Sequence, residues 1–193
     1  MNASRRVIFL LMALVFSVAL VSAALADAPE PAAKKKQTVL KKYVTAAQAY
    51  EKWKANPKEV AILDVRTPEE YDFVGHPTMA TNVPFELWTG KWNPAKKKFV
   101  LKKNPEFVTQ VKKKWKPNAT LLIMCRSGSR SAAAVNALAK DGFKNAYTVV
   151  DGFEGDKVKD KSSAFHGQRM VNGWRNAGAP WSYKLDPNLV YKP

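Results

Sequence analysis

At 193 residues with 46% apolar side chains, the chain is long enough for one domain with a substantial core, which excludes a wholly disordered protein. Lysine and arginine outnumber the acids 32 to 16, a formal charge of +16 at pH 7, and such a surplus favours nucleic acid, anionic membrane, an acidic protein or small anions as partners. A single cysteine and two histidines exclude an internal disulfide and give no metal-ligand spacing, so neither a metal nor another cofactor is expected.

The N-terminus carries the pattern of a processing signal. Arg5 and Arg6 form a positive region, residues 7–21 an apolar run, and Ala24-Leu25-Ala26 a small-x-small cleavage site before Asp27. The run approaches the ~20 residues that span a bilayer. The cleavage site nonetheless favours export with removal of residues 1–26, which leaves no integral membrane segment in the mature chain. A periplasmic or secreted location is the expectation. Ser4-Arg5-Arg6 partly matches a twin-arginine signal, whereas the strongly apolar run suits the general secretory route, and both stay open. Loss of Arg5 and Arg6 lowers the formal charge from +16 to +14. An exported chain rarely meets nucleic acid, so the lysine runs at 34–36, 41–42, 96–98, 102–103 and 112–114 are not read as a nucleic-acid footprint.

Residues 27–40, rich in Ala, Pro and Lys, read as a flexible leader. Thr45 N-caps a predicted helix that Asn56-Pro57 stops. The apolar run Val60-Ala61-Ile62-Leu63, ending at Asp64, has the character of a buried parallel strand. Thr67-Pro68-Glu69-Glu70 supplies an N-cap, a proline at the first helical position and a capping-box acid. A short strand is expected at 81–84, and residues 85–103 read as irregular. Phe107, Val108, Val111 and Trp115 fall at helical spacing with a cationic opposite face. Residues 120–125 and 145–150 are two more strands, with an alanine-rich helix between them. Strand and helix alternate, which predicts an α/β fold built on a parallel sheet.

The chemistry centres on Met124-Cys125-Arg126-Ser127-Gly128-Ser129-Arg130-Ser131, a polar loop between a buried strand and a helix. In a parallel sheet the loops at the carboxyl ends of the strands form the site. The loop amides, the helix N-terminus, Arg126 and Arg130 would all favour negative charge on the sulfur of Cys125. The structural alternative is a small buried hydrophobe at a strand end; two arginines and a glycine turn favour a catalytic nucleophile.

Residues 125–131 resemble the active-site loop of the rhodanese (sulfurtransferase) family. Residues 62–71, with Gly75-His76 and Asn82-Val83-Pro84, are similar to that family's first signature. Gly152-Phe153-Glu154-Gly155, with Trp174, Ala177-Gly178 and Pro180, is similar to its last. The resemblance spans about residues 43–181. It implies a five-stranded parallel sheet with helices on both faces and a persulfide on Cys125. It further implies a substrate-binding loop of Arg126, Ser127, Gly128, Ser129, Arg130 and Ser131, with Asp64 and Arg66 as supporting structure behind it. The six-residue Cys-x-x-Gly-x-Arg loop is the size the family uses for sulfur transfer; the phosphatases that share the fold are one residue longer.

Two departures stand out. Asp151 replaces the first of a glycine pair, and an insert at 156–173, with His166, Gln168 and Arg169, is expected beside the mouth over Cys125 as a lid or docking surface, or as a plain surface excursion. Trp88, Trp92 and Trp115 interleave with the basic segment 91–116; they read first as packing, with docking to an acidic exported protein or anionic lipid as the functional alternative. The expected organisation is a signal peptide (1–26), a leader (27–40), a rhodanese domain (41–185) and a tail (186–193). The expected activity moves sulfane sulfur from thiosulfate or a related small anionic donor to cyanide or a thiol acceptor. The alternative is a sulfur-relay module loaded by a dedicated protein partner.

Overall fold

The computed structural model describes residues 27–193, so the signal peptide expected at 1–26 lies outside the described residues. Five strands form one parallel sheet: β1 (Tyr43–Val44), β2 (Val60–Asp64), β4 (Thr81–Asn82), β7 (Thr120–Met124) and β8 (Ala146–Val149), in the order β1-β8-β7-β2-β4. The apolar runs therefore occupy the middle. β2 and β7 pair along their whole length, from Val60 opposite Thr120 to Asp64 opposite Met124.

Alternation within those strands sorts the core into two layers. Leu63, Leu121 and Ile123 pack with Phe107 and Val111 of α3 (Phe107–Lys114) and with Val135 and Leu138 of α4 (Ser129–Lys140). Ile62, Leu122 and Met124 face the other way, onto Ala46 and Ala49 of α1 (Ala46–Ala55) and Tyr71 of α2 (Pro68–Phe73). Helices thus cover both faces, as expected. Each fully buried Leu or Ile contributes about 1.5–3 kcal/mol. Both predicted N-caps form, and Thr45 completes a capping box as the predicted one at Thr67 does: Thr45 Oγ1 accepts from Gln48 N–H at 3.2 Å, and Thr67 Oγ1 from Glu70 N–H at 3.2 Å.

Three segments differ from expectation. Residues 85–103 are not irregular but form a twisted hairpin, β5 (Glu86–Asn93) and β6 (Lys98–Lys103). Asn93 Oδ1 accepts from Lys96 N–H at 2.9 Å in its turn, and Gly90, at φ 70°, sits where the register shifts between Trp88 and Trp92. Every residue of β6 is exposed, so no alternation of buried and open positions marks it in the sequence.

The leader is laid against the domain by specific contacts. Ala28 N–H donates to Tyr43 O at 2.7 Å, Lys36 Nζ to Val150 O at 2.9 Å, and Val39 N–H to Asn136 Oδ1 at 2.8 Å. Tail residue Leu189 likewise accepts from Asn82 N–H on edge strand β4 at 2.8 Å. After α2, β3 (His76–Pro77) pairs antiparallel with β9 (Trp181–Ser182) in a separate two-stranded sheet.

Behind the carboxyl end of β2 lies a wholly buried ion pair. The Asp64 carboxylate accepts from Arg66 N–H and Nε at 3.0 Å and from Nη2 at 2.6 Å; Nη2 also donates to Gly75 O at 2.8 Å. The guanidinium carbon Cζ of Arg66 lies 4.2 Å from the centre of the Phe153 ring. Truncating one partner of such a pair strands the other charge in the core. Asp64→Ala is therefore expected to lower stability by about 3–5 kcal/mol, read as a fall in the urea midpoint at pH 7.

Candidate active site

Cys125 leaves the end of β7 and is 2% exposed, at the floor of a cleft of about 930 Å³. Three residues on, Gly128 takes φ 97° and N-caps α4, which turns its N–H back to donate to Cys125 Sγ at 3.2 Å. A side chain cannot replace that glycine: a Cβ there would sit 2.3 Å from Val150 O. The sulfur thus lies at the amino end of a twelve-residue helix, where peptide dipoles favour negative charge.

Beneath it lies a chain of hydroxyls. The Cys125 thiol points at Ser131 Oγ, 3.6 Å away, while Ser131 Oγ donates to Gly128 O at 3.1 Å and pairs with Thr148 Oγ1 at 2.8 Å. Because a hydroxyl rotates to suit its neighbours, Ser131 can turn its proton to the sulfur when Cys125 is charged.

The loop after β8 holds the cysteine loop from its other side. Phe153 N–H donates to Cys125 O at 2.8 Å and Glu154 N–H to Arg126 O at 3.0 Å. Gly152 permits that approach, since a Cβ on it would lie 2.4 Å from Cys125 O. Asp151, the departure from a glycine pair, is a junction. Its carboxylate accepts from Ala46 N–H at 2.8 Å and Gly173 N–H at 2.9 Å, joining the start of α1 to the end of the insert. Burial pushes the Asp151 carboxyl up, and those two amides offset part of the rise.

The predicted loop residues divide into three positions. Arg126, Ser127 and Ser129 line the cleft, and Arg126 is exposed with no ion-pair partner among the described residues. Gly128 and Ser131 meet the sulfur from below, so Ser131 is not a cleft residue. Arg130 borders the cleft but is held in a two-pronged pair, Nη1 and Nη2 each 2.6 Å from the Glu70 carboxylate. Burial alone would raise the Glu70 carboxyl; the Arg130 hydrogen bonds and charge outweigh it and hold the group below the usual carboxylate range. Asp64 and Arg66 pair with each other in the core, outside the cleft lining.

The insert reaches the cleft through Arg169, whose guanidinium also donates to Gly155 O; His166 is exposed and does not line it. Its two ends meet at Gly155 and Gly173, and Val158 N–H donates to Gln168 O at 2.8 Å, so the segment leaves the domain and returns at one point. The facing wall is the β5–β6 hairpin, with Trp88, Phe99 and Leu101 toward the cleft. Sequence reasoning missed this wall and the role of Glu70, whose capping-box position masked a second contact 60 residues away.

The sequence between residues 45 and 158, more than half the chain, matches the family model "Rhodanese-like domain". The chain belongs to the rhodanese-like domain family. It is 35% identical over 91 residues to senescence-associated protein DIN1 of Raphanus sativus, a match that covers 47% of this chain and 45% of that protein, so it spans about half the length of that relative. Over 91 residues it is also 35% identical to the chloroplastic thiosulfate sulfurtransferase 16 of Arabidopsis thaliana, covering 47% of this chain and 68% of that one. Among solved structures it resembles Rv0390 from M. tuberculosis with a TM-score of 0.57 at 29% identity, covering 72% of this chain and 96% of that one.

The depressed Glu70 carboxyl has a consequence for pH. The stability it contributes is fully present above its ordinary value of 4.5 and is lost as pH falls through its lower value in the folded protein. Glu70→Gln should cost about 1–3 kcal/mol at pH 7. In paired urea titrations, that gap from the parent should narrow at about pH 3.

Proposed function

We propose that this chain is a sulfurtransferase that takes sulfane sulfur from thiosulfate, or a related anionic donor, onto Cys125 and passes it to cyanide or a thiol. The observation that carries the reading is the Gly128 N–H aimed at Cys125 Sγ, at the floor of a cleft whose lining holds six cations against three acids. Within that lining Glu70 neutralises Arg130, and Arg126 is left as the exposed cation of the loop itself. The name of the Arabidopsis relative supports the choice of donor.

In the first step the Cys125 thiolate attacks the outer sulfur of thiosulfate. A new S–S bond forms, the old one breaks, and its electron pair leaves with sulfite, so Cys125 holds a persulfide. In the second, cyanide or a thiolate attacks the terminal sulfur and the electron pair returns to Cys125. A thiolate meeting a dianion is repulsive, and Arg126 answers that repulsion at the sulfonate while the Gly128 amide and the end of α4 do so at the attacking sulfur. The six-residue span from Cys125 to Arg130 supports sulfur over phosphate. A relay module loaded by a protein partner is the second reading, supported by a cleft much larger than thiosulfate. The signal-like N-terminus supports an exported, periplasmic or secreted, mature chain.

Incubation of the mature chain with thiosulfate should add one sulfur atom to the intact mass, and Cys125→Ser should show none, with turnover lowered about a thousandfold or more. A gain only from a protein donor would replace the first reading with the second. Arg126→Ala should lower kcat/KM for thiosulfate about 10–100-fold, the loss of one charge-assisted contact, with circular dichroism unchanged.

A further inference from the structure

The cleft is far too large and too apolar on one side for a small inorganic anion alone. Its volume of about 930 Å³ is in the range that accommodates drug-sized ligands. Phe73 is 78% exposed, and Trp88, Phe99 and Leu101 are each between 38% and 45% exposed, all along the same cleft. Trp88 stands edge-on to Phe99 with ring centres 4.9 Å apart, so the wall is an ordered aromatic surface that water covers in the free protein. Around it, the hairpin carries six lysines and no acid between Lys91 and Lys103, and Lys35 and Arg169 also line the cleft.

An apolar centre inside a cationic rim is the surface of a protein-docking site. Anionic lipid would match the same charges, but the apolar side chains here lead down to Cys125 Sγ, and a lipid offers no group to take the sulfur.

Resting on the sulfur-transfer reading above, we infer that the acceptor is a polypeptide thiol: a cysteine on a segment with apolar side chains flanked by acids, seated between the β5–β6 hairpin and the 156–173 insert. Its thiolate attacks the terminal sulfur of the Cys125 persulfide. The S–S bond to Cys125 breaks, the electron pair stays with Cys125, and the peptide leaves as a persulfide. No oxidant or reductant is consumed.

The test uses two synthetic peptides, each with one cysteine between leucine and phenylalanine, one flanked by aspartates and the other by lysines. Cys125 is loaded with thiosulfate in one arm and with inorganic polysulfide in a second, and transfer is followed by intact mass. The acidic peptide should react about tenfold faster than the basic one, with the advantage collapsing at high salt. Trp88→Ala/Phe99→Ala and Lys96→Glu/Lys98→Glu, all exposed positions, should each remove the advantage. Circular dichroism of the aromatic pair should match that of the parent, which separates lost docking from lost folding. Equal rates for the two peptides, or an advantage that survives both hairpin variants, would overturn the inference. So would hairpin variants that lose binding to phosphatidylglycerol vesicles while keeping the peptide preference, which would assign the wall to a membrane. Failure of thiosulfate to load Cys125 counts against the donor in the function proposed above, while the polysulfide arm still decides the acceptor.

Discussion

The active-site loop depends on two backbone hydrogen bonds, from Phe153 N–H to Cys125 O and from Glu154 N–H to Arg126 O. A cysteine at a strand end has no fixed direction by itself. These bonds tie its carbonyl, and that of the next residue, to the neighbouring loop, and so leave the amides of the turn free to face the sulfur. Gly152 is the steric condition for the approach and Gly128 the steric condition for the turn. Behind them the Phe153 ring lies on the Arg66 guanidinium, which Asp64 anchors within the core. A buried ion pair is weak support for stability in general. Here its value lies in position: it fixes the ring whose own N–H holds the cysteine.

Charge in the site is divided by geometry, not by count. Two arginines four residues apart on one loop look equivalent in the sequence, yet Arg130 meets a carboxylate with both prongs at 2.6 Å and Arg126 stands exposed. Arg130 then acts as a tie between α4 and α2, because Glu70 also accepts from Thr67 N–H at 3.1 Å as part of its capping box. One carboxylate thereby locks the helix within the first signature to the helix that follows the cysteine. At the sulfur itself stand the Gly128 amide and the end of α4, while Arg126 lines the cleft.

Much of this was legible in the sequence, for identifiable reasons. The runs at 60–63 and 121–124 are apolar on both sides of the strand, which only a sheet covered on two faces explains, and Thr45 and Thr67 mark helix starts by local chemistry. The cysteine loop was readable because strand, turn and helix follow one another without a gap. The hairpin was not, because a strand pair with no buried face leaves no alternation to read and its lysines resemble a solvated surface. The Glu70–Arg130 pair was hidden because nothing local announces a contact across 60 residues, and the docked leader because Ala, Pro and Lys are equally the composition of a free tail.

Those illegible parts share a location. The hairpin, Lys35 of the leader and the Glu70–Arg130 pair all border the cleft above a cysteine loop whose own geometry is set by local sequence, and Arg169 of the insert, expected at the mouth, joins them there. The chemistry at the sulfur therefore rests on short-range signals: a strand end, a glycine turn and a helix start. Access to the sulfur rests instead on segments far apart in the chain, whose exposed faces contribute nothing to the core and so are not constrained by it. The first set fixes where Cys125 Sγ sits and which amide faces it; the second forms the walls of the cleft around it. A chain can thus keep one sulfur-handling loop while its walls change, and in this protein those walls are aromatic along one side and cationic at the rim.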